Sequence, residues 1–232
     1  MQPAATLDRH RQVRSFVRRE GRITPAQRAA LERLWPRYGI DFGGTPFDLL
    51  ASFGRAAPLV LEIGSGNGET LVARAKAEPD KNFLGVEVHR PGVGRLLLSA
   101  EALGLENLRI VCHDAAEVLR AALPEASLDE VLIYFPDPWP KKRHHKRRLI
   151  QPEFARLLAC RLKPDGVLRL ATDWADYAEH MRVVLNAEPL LRNESPHGGF
   201  VARHAARAPT KFERRGQGLG HPVFDLAYRR VR

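Results

Sequence analysis

From Leu59 onward, short apolar runs alternate with stretches of helical periodicity, and this alternation restricts the fold more than any other feature of the chain. Leu59-Val60-Leu61-Glu62-Ile63 reads as a buried strand, with a helix over Glu69 to Ala77 after it. Phe83–Val88 is a second strand with a helix near Val93–Leu103, and Leu108–Cys112 a third with a short helix near Ala115–Leu123. Leu128–Phe135 and Gly166–Ala171 are the fourth and fifth, followed by helices near Pro152–Leu162 and Tyr177–Asn186. Such repetition predicts an α/β fold: a parallel sheet with helices on both faces. Ligands then bind at the C-terminal ends of the strands. After about residue 189 the pattern weakens to loop, with Val223–Tyr228 as a last strand. Residues 1–57 carry one helical piece around Ala26–Trp35 and read as a basic extension packed on, or flexibly tethered to, a core domain over 58–232.

Polar landmarks fall at three consecutive strand ends. Gly64-Ser65-Gly66-Asn67-Gly68 closes the first strand and opens a helix. Glycines permit a tight turn there and let a ligand approach the backbone without meeting a Cβ. A dinucleotide fingerprint would want its third glycine at 69, which is Glu69 here, so a nicotinamide dehydrogenase is disfavoured. The third glycine lies at 68 instead, and Gly-x-Gly-x-Gly resembles the first motif of S-adenosylmethionine (SAM)-dependent methyltransferases. Glu87 ends the second strand, where a carboxylate can accept from both ribose hydroxyls of a nucleoside. Asp114, in Cys112-His113-Asp114-Ala115, ends the third, where the adenine amino group would lie. A plain turn or a helix N-cap would explain each alone. Together they point to an adenosine-bearing cofactor.

The fourth strand runs into Pro136-Asp137-Pro138-Trp139-Pro140 and then Lys141-Lys142-Arg143-His144-His145-Lys146-Arg147-Arg148. Prolines remove amide donors and stiffen the loop, which suits a fixed acid and a fixed ring. An indole can hold a base by stacking, worth about 1–3 kcal/mol, and a block of cations suits phosphates. The plainer alternatives are a proline-rich turn capped by a buried Trp and a solvated charge run. Charge placement argues against the second. Residues 1–22 carry +4, 141–148 carry +6 and 203–215 carry +4, so the remaining chain stands at −4 within a net +10. Basicity confined to three segments around a mildly acidic core is a polyanion footprint. An acid and a ring beside it indicate an enzyme that modifies nucleic acid.

At 232 residues the chain suits one domain with a small extension. No run of about 18 apolar residues suggests a membrane span, and the Arg-rich start lacks the apolar stretch of a secretory signal, so a cytoplasmic location is expected. Cys112 and Cys160 read as small buried hydrophobes in a reducing compartment. His144-His145 has no Cys or carboxylate at ligand spacing, so no metal is expected.

Taken together, these motifs resemble the bacterial tRNA (guanine-N7)-methyltransferase family. The resemblance is carried by Glu62–Gly68, by Gly85-Val86-Glu87-Val88-His89-x-Pro91-Gly92-Val93, by Cys112–Ala115, and by Phe135-Pro136-Asp137-Pro138-Trp139-x-Lys141 with Lys146-Arg147-Arg148. Thr172-Asp173-Trp174, Tyr177–Met181, Thr210-Lys211-Phe212-Glu213-x-Arg215-Gly216 and Leu219-Gly220-His221-x-Val223 follow in register, and Arg14–Arg19 matches near the start. Ser65 and Asn67 stand where relatives commonly carry larger apolar residues, and Pro140 and Lys142 vary the basic loop. The family implies a Rossmann-like class I SAM-dependent methyltransferase fold with a mostly parallel seven-stranded sheet. It implies methylation of guanine N7 at tRNA position 46, in the variable loop. It further implies SAM contacts from Glu62, Gly64, Gly66, Gly68, Glu87, Asp114, Ala115 and Asp137, the last also catalytic. RNA contacts are implied for Lys141, for Arg143, His144, His145, Lys146, Arg147 and Arg148, for Asp173, and for Thr210, Lys211, Phe212 and Glu213. The partner is tRNA; a monomer is the default expectation, with a homodimer left open.

Guanine N7 carries a lone pair and no proton, so alignment and water exclusion matter more than a general base. Asp137, with Asp173, is expected to accept from the guanine N1–H and exocyclic amine, Trp139 to border the base and Lys141 to clamp the backbone. Two other readings stay open: an exocyclic-amine methyltransferase, and a catalytically silent RNA-binding protein on the same scaffold.

Overall fold

The computed structural model describes residues 21–207, Glu213 and residues 222–232. Residues 1–20 and Thr210, Lys211 and Phe212 lie outside them. Five parallel strands form the centre: β1 (Leu59–Ile63), β2 (Asn82–Val86), β3 (Leu108–Val111), β4 (Leu128–Tyr134) and β5 (Leu162–Thr172). Two more, β6 (Leu191–Asn193) and β7 (Phe224–Arg230), complete a seven-stranded sheet in the order β3-β2-β1-β4-β5-β7-β6. β7 runs antiparallel to both β5 and β6.

Every residue of β1 and β2 is buried, as parallel strands covered on both faces require. Alternate side chains feed two cores. Leu59, Leu61 and Ile63 meet Phe53 of α2 (Leu49–Phe53), Val118 of α5 (Ala115–Ala121), Leu158 of α6 (Pro152–Arg161) and Met181 of α7 (Ala175–Asn186). On the other face Val60 and Leu132 meet Leu34 of α1 (Pro25–Tyr38), Leu71 of α3 (Glu69–Ala77) and Leu97 of α4 (Arg90–Ala102). Helix α1 starts at a capping box, Thr24 Oγ1 accepting from the Gln27 N–H at 3.2 Å and Gln27 Oε1 from the Thr24 N–H at 2.8 Å. Behind it the Ile40 N–H donates to the Ile110 carbonyl at 2.9 Å, so the chain just after α1 packs on the edge at β3.

Among the described residues, none of the helices α1 to α7 covers the α1 face over β5 and β7. The chain after β6 returns there, Val201 bridging to Asp225, and brings Arg207 over the end of β4. Among the described residues no helix is long and apolar enough to cross a membrane. Cys112 and Cys160 are only half-buried, not buried as expected. Cys112 follows the last residue of β3, where the chain opens toward a cavity.

Candidate active site

The turn after β1 is left-handed at three glycines, with φ of +74° at Gly64, +54° at Gly66 and +78° at Gly68. A Cβ built on Gly64 or Gly66 meets no atom within 4 Å, so space lies open above the turn. On Gly68 it would stand 2.4 Å from Leu96 Cγ, because α3 starts against α4 there. The turn is tied to β2 by Glu87, which is buried. Its Oε2 accepts from the Gly66 N–H at 2.7 Å, and its Oε1 accepts from Val88 and His89, each at 2.7 Å. A carboxylate offers roughly four lone-pair sites, so the three amides leave about one for a ligand.

Glu62 lies beneath the turn on the same face as Val60. It is 4% exposed, and its Oε2 is buried with no hydrogen-bond partner. Burial pushes its carboxyl up to about 8, the Arg74 charge opposing and the Glu87 charge adding. An unsatisfied oxygen there is costly unless something completes it. Open space over the glycines, with this acid two residues before the first of them, fits a ligand that joins a nucleoside to an ammonium group, as SAM does.

Asp114 caps α5, its Oδ1 accepting from the Glu117 N–H at 3.0 Å. The cap leaves Oδ2 for other use, so the N-cap role and a cofactor role are compatible. Asp114, Val88 and Cys112 form one wall of a cavity of about 590 Å³, and Ile23, Arg28 and Glu32 form the other. The second wall comes from the extension and was not anticipated. In sequence Arg28 and Glu32 are an ordinary charged pair one helical turn apart, and nothing marks them as lining a site.

The next strand outward from the glycine turn is β4. The strand stops at Tyr134 because Phe135 turns left-handed, with φ of +51°, and Trp139 does the same at +46°. A non-glycine residue there costs of order 1–3 kcal/mol and persists only where its surroundings enforce it. The Phe135 N–H donates to the Ala171 carbonyl at 2.8 Å, locking the bend onto β5. Asp137 is thereby presented to solvent.

The basic stretch that follows divides by burial. Lys142–Arg147 is a 3-10 helix whose Lys142, Arg143 and Lys146 are exposed, as is Lys141 before it. His144, His145 and Arg147 are half-buried. The Arg147 guanidinium lies 3.9 Å from the Trp139 ring centroid, and His144 meets that ring edge-on at 5.9 Å. The Arg148 side chain is buried: its Nε donates to the Pro138 carbonyl at 3.0 Å and its Nη2 pairs with Asp176. It therefore supports the loop from inside.

Asp173 is half-buried at the end of β5, on the strand next to the Asp137 loop. The Trp174 N–H donates to Thr172 Oγ1 at 3.2 Å beside it. Glu213 is 1% exposed, its Oε2 accepting from Arg207 at 2.8 Å. The structure thus gathers Glu62, Glu87, Asp114, Asp137 and Asp173 along one edge of the sheet and leaves Arg148 and Glu213 in the interior.

Comparisons with known proteins identify the family and the fold. A family model described as "Putative methyltransferase" matches residues 56–226. The tRNA (guanine-N(7)-)-methyltransferase of Methylococcus capsulatus is 56% identical over 223 residues, covering 96% of each chain. That of Klebsiella pneumoniae is 53% identical over 222 residues, covering 96% of this chain and 93% of its own. Among solved structures, the antibiotic-resistance methyltransferase Kmr aligns with a TM-score of 0.55 at 16% identity, over 80% of this chain and 92% of its own. At that identity the likeness shows the fold alone, the Rossmann-like class I methyltransferase fold. With matches of this extent and the three acids, the glycine turn and the Pro-Asp-Pro-Trp loop on one sheet edge, the chain belongs to the tRNA (guanine-N7)-methyltransferase family.

Proposed function

We propose that the strand ends of β1 to β3 hold SAM and that the loops after β4 and β5 hold the guanine. The protein transfers a methyl group from SAM to guanine N7 in tRNA. Glu62 would complete its unsatisfied oxygen on the ammonium group, Glu87 would take the ribose and Asp114 the adenine amine, with Gly64, Gly66, Gly68 and Ala115 giving close backbone approach. When bound, SAM supplies an electrophilic methyl group, whose arrival leaves the guanine positively charged and requires no proton to be removed from N7.

What this chain must do is position the base and favour that charge. Asp137, exposed on a loop stiffened by three prolines, accepts from the guanine N1–H and amine together with Asp173, and its negative charge favours the methylated purine. Lys141 and the exposed Lys142, Arg143 and Lys146 meet phosphates. The guanine is that of position 46, the protein works as a monomer, and it meets its tRNA in the cytoplasm. The observation that supports this assignment most is the left-handed bend at Phe135, which ends the strand next to the glycine turn and leaves Asp137 exposed in the loop beyond it.

The test is methyl transfer from labelled SAM to unmodified tRNA, followed by digestion to nucleosides. All label should appear as N7-methylguanosine, and a tRNA with adenine at position 46 should accept none. Label in an N-methylated amine would establish the exocyclic-amine reaction instead. SAM binding without transfer to any tRNA would establish the silent scaffold.

A further inference from the structure

Among the described residues, the largest side chain shielded from solvent is that of Arg207, and nothing in the reaction described so far uses it. A guanidinium cannot be deprotonated in a protein, so its charge must be met inside. Its Nη1 donates to Glu213 Oε2 at 2.8 Å and its Nη2 to Asp225 Oδ2 at 3.0 Å. Arg203 closes the group, its Nη2 donating to the Arg207 carbonyl at 2.6 Å and its Nη1 lying 3.7 Å from Glu213 Oε1. The same cation lies over two rings, its Cζ 5.6 Å from the Tyr134 centroid and 5.7 Å from that of Phe135.

Those two rings are the last residue of β4 and the left-handed pivot that presents Asp137. Asp225 belongs to β7 and sits opposite Ala171, whose carbonyl holds the Phe135 N–H. Glu213 lies six residues beyond Arg207. One guanidinium therefore contacts the pivot of the catalytic loop, the strand behind it, and the C-terminal residue of the Thr210–Glu213 motif. A buried ion cluster is poor value for stability alone, since well-packed apolar groups commonly do as well. Its planar fork fixes two carboxylates and two rings in one geometry, which a lysine ammonium cannot do.

We infer that Arg207 is a positioning residue: through Tyr134 and Phe135 it sets the Asp137 loop against Asp225 of β7 and Glu213. This rests on the methyl-transfer reading above. Glu213 is then an interior partner of that guanidinium, its carboxylate directed at Arg207.

The test is Arg207→Lys in the full-length protein, which keeps the charge and loses the fork. A misplacement of about 1 Å can cost about a hundredfold in rate. The expected result is a kcat for tRNA methylation lowered ten- to hundredfold, with the tRNA KM and SAM Kd within threefold of wild type. A variant with wild-type kcat below its melting temperature, however reduced its Tm, would overturn the inference. So would a raised tRNA KM at unchanged kcat, since Arg207 would then serve RNA binding.

Asp225→Asn keeps shape and touches Arg207 from β7, and three- to tenfold of the same kcat loss is expected. Should the lysine variant fail to fold, wild-type kcat in Asp225→Asn overturns the inference by itself. A readout independent of turnover is acrylamide quenching of Trp139, with Trp35 and Trp174 replaced by Phe as the reference background. Quenching should rise in both variants, and unchanged quenching counts against the role. If the wild type makes no N7-methylguanosine, the functional reading fails, and the quenching arm still decides whether Arg207 sets the loop.

Discussion

The Nε of Arg148 donates to the carbonyl of Pro138 at 3.0 Å, from beneath the loop that presents Asp137. The same guanidinium is paired with Asp176 and lies 5.0 Å from the Tyr177 ring. A residue that reads in sequence as one more cation of a phosphate-binding run is thus a brace between that loop and α7.

Arg148→Ala should therefore behave unlike its neighbours. It removes a donor from Pro138 and a partner from Asp176, with a stability loss of about 1–3 kcal/mol and a lowered kcat. Arg143→Ala with Lys146→Ala should instead raise the tRNA KM and flatten its dependence on salt by about one unit of slope per contact, at unchanged stability. Parallel salt titrations and melting curves separate the two, and identical salt slopes for all three proteins would remove the distinction.

Asp137→Asn keeps the shape of the side chain and takes its charge. Turnover should be lost, with SAM affinity within about tenfold of wild type. A fully active Asn variant would refute the assigned role.

Glu62 gives a pH signature. Its folded-state value, about 8, lies above the ordinary 4.5, so the ligand-free protein gains stability from this group at acid pH and loses it as pH rises across that interval. SAM binding below pH 8 should release a proton, because an ammonium partner favours the ionised carboxylate. Calorimetry in buffers of different ionisation enthalpy measures that proton. Glu62→Gln should abolish the release and weaken SAM binding by about ten- to a hundredfold; proton release that persists in the Gln variant would assign it to another group.

Stacking of a base on the face of Trp139 that Arg147 covers would displace that guanidinium. An exposed cation–π contact is worth about 0.5–1 kcal/mol and base stacking about 1–3 kcal/mol, so the exchange favours the base. Trp139→Ala should lower kcat/KM for tRNA by about five- to 150-fold, with Trp139→Phe keeping most of it. Equal losses in Ala and Phe would point to the indole N–H and away from stacking.

Much of the fold was legible because parallel strands covered on both faces read as unbroken apolar runs, and β1 through β4 start within a residue of where those runs do. The misplaced ends have local causes. β2 stops at Val86 and not Val88, since Glu87 captures the next two amides. β4 stops at Tyr134 because Phe135 bends left-handed, a conformation no residue type there announces. β6 spans three residues, too few for any periodicity to register. The positions of Glu87, Asp114, Asp137 and Asp173 just beyond strand ends were legible from the apolar runs before them. Arg148, Arg207 and Glu213 were not, because composition records a charge and not whether a carboxylate waits for it in the interior. Arg28 and Glu32 reach the cavity only through the docking of α1, a tertiary event.

The position of β7 between β5 and β6 has a consequence for how the molecule is made. While the chain is being synthesised, β6 emerges with no neighbour to bond, and the outer side of β5 stays an open row of amides and carbonyls until Phe224–Arg230 arrives. The acids of the first three strands can already be in place at that stage. Asp225 cannot, so a nascent chain stalled before it holds the first three strand ends without the buttress of the Asp137 loop.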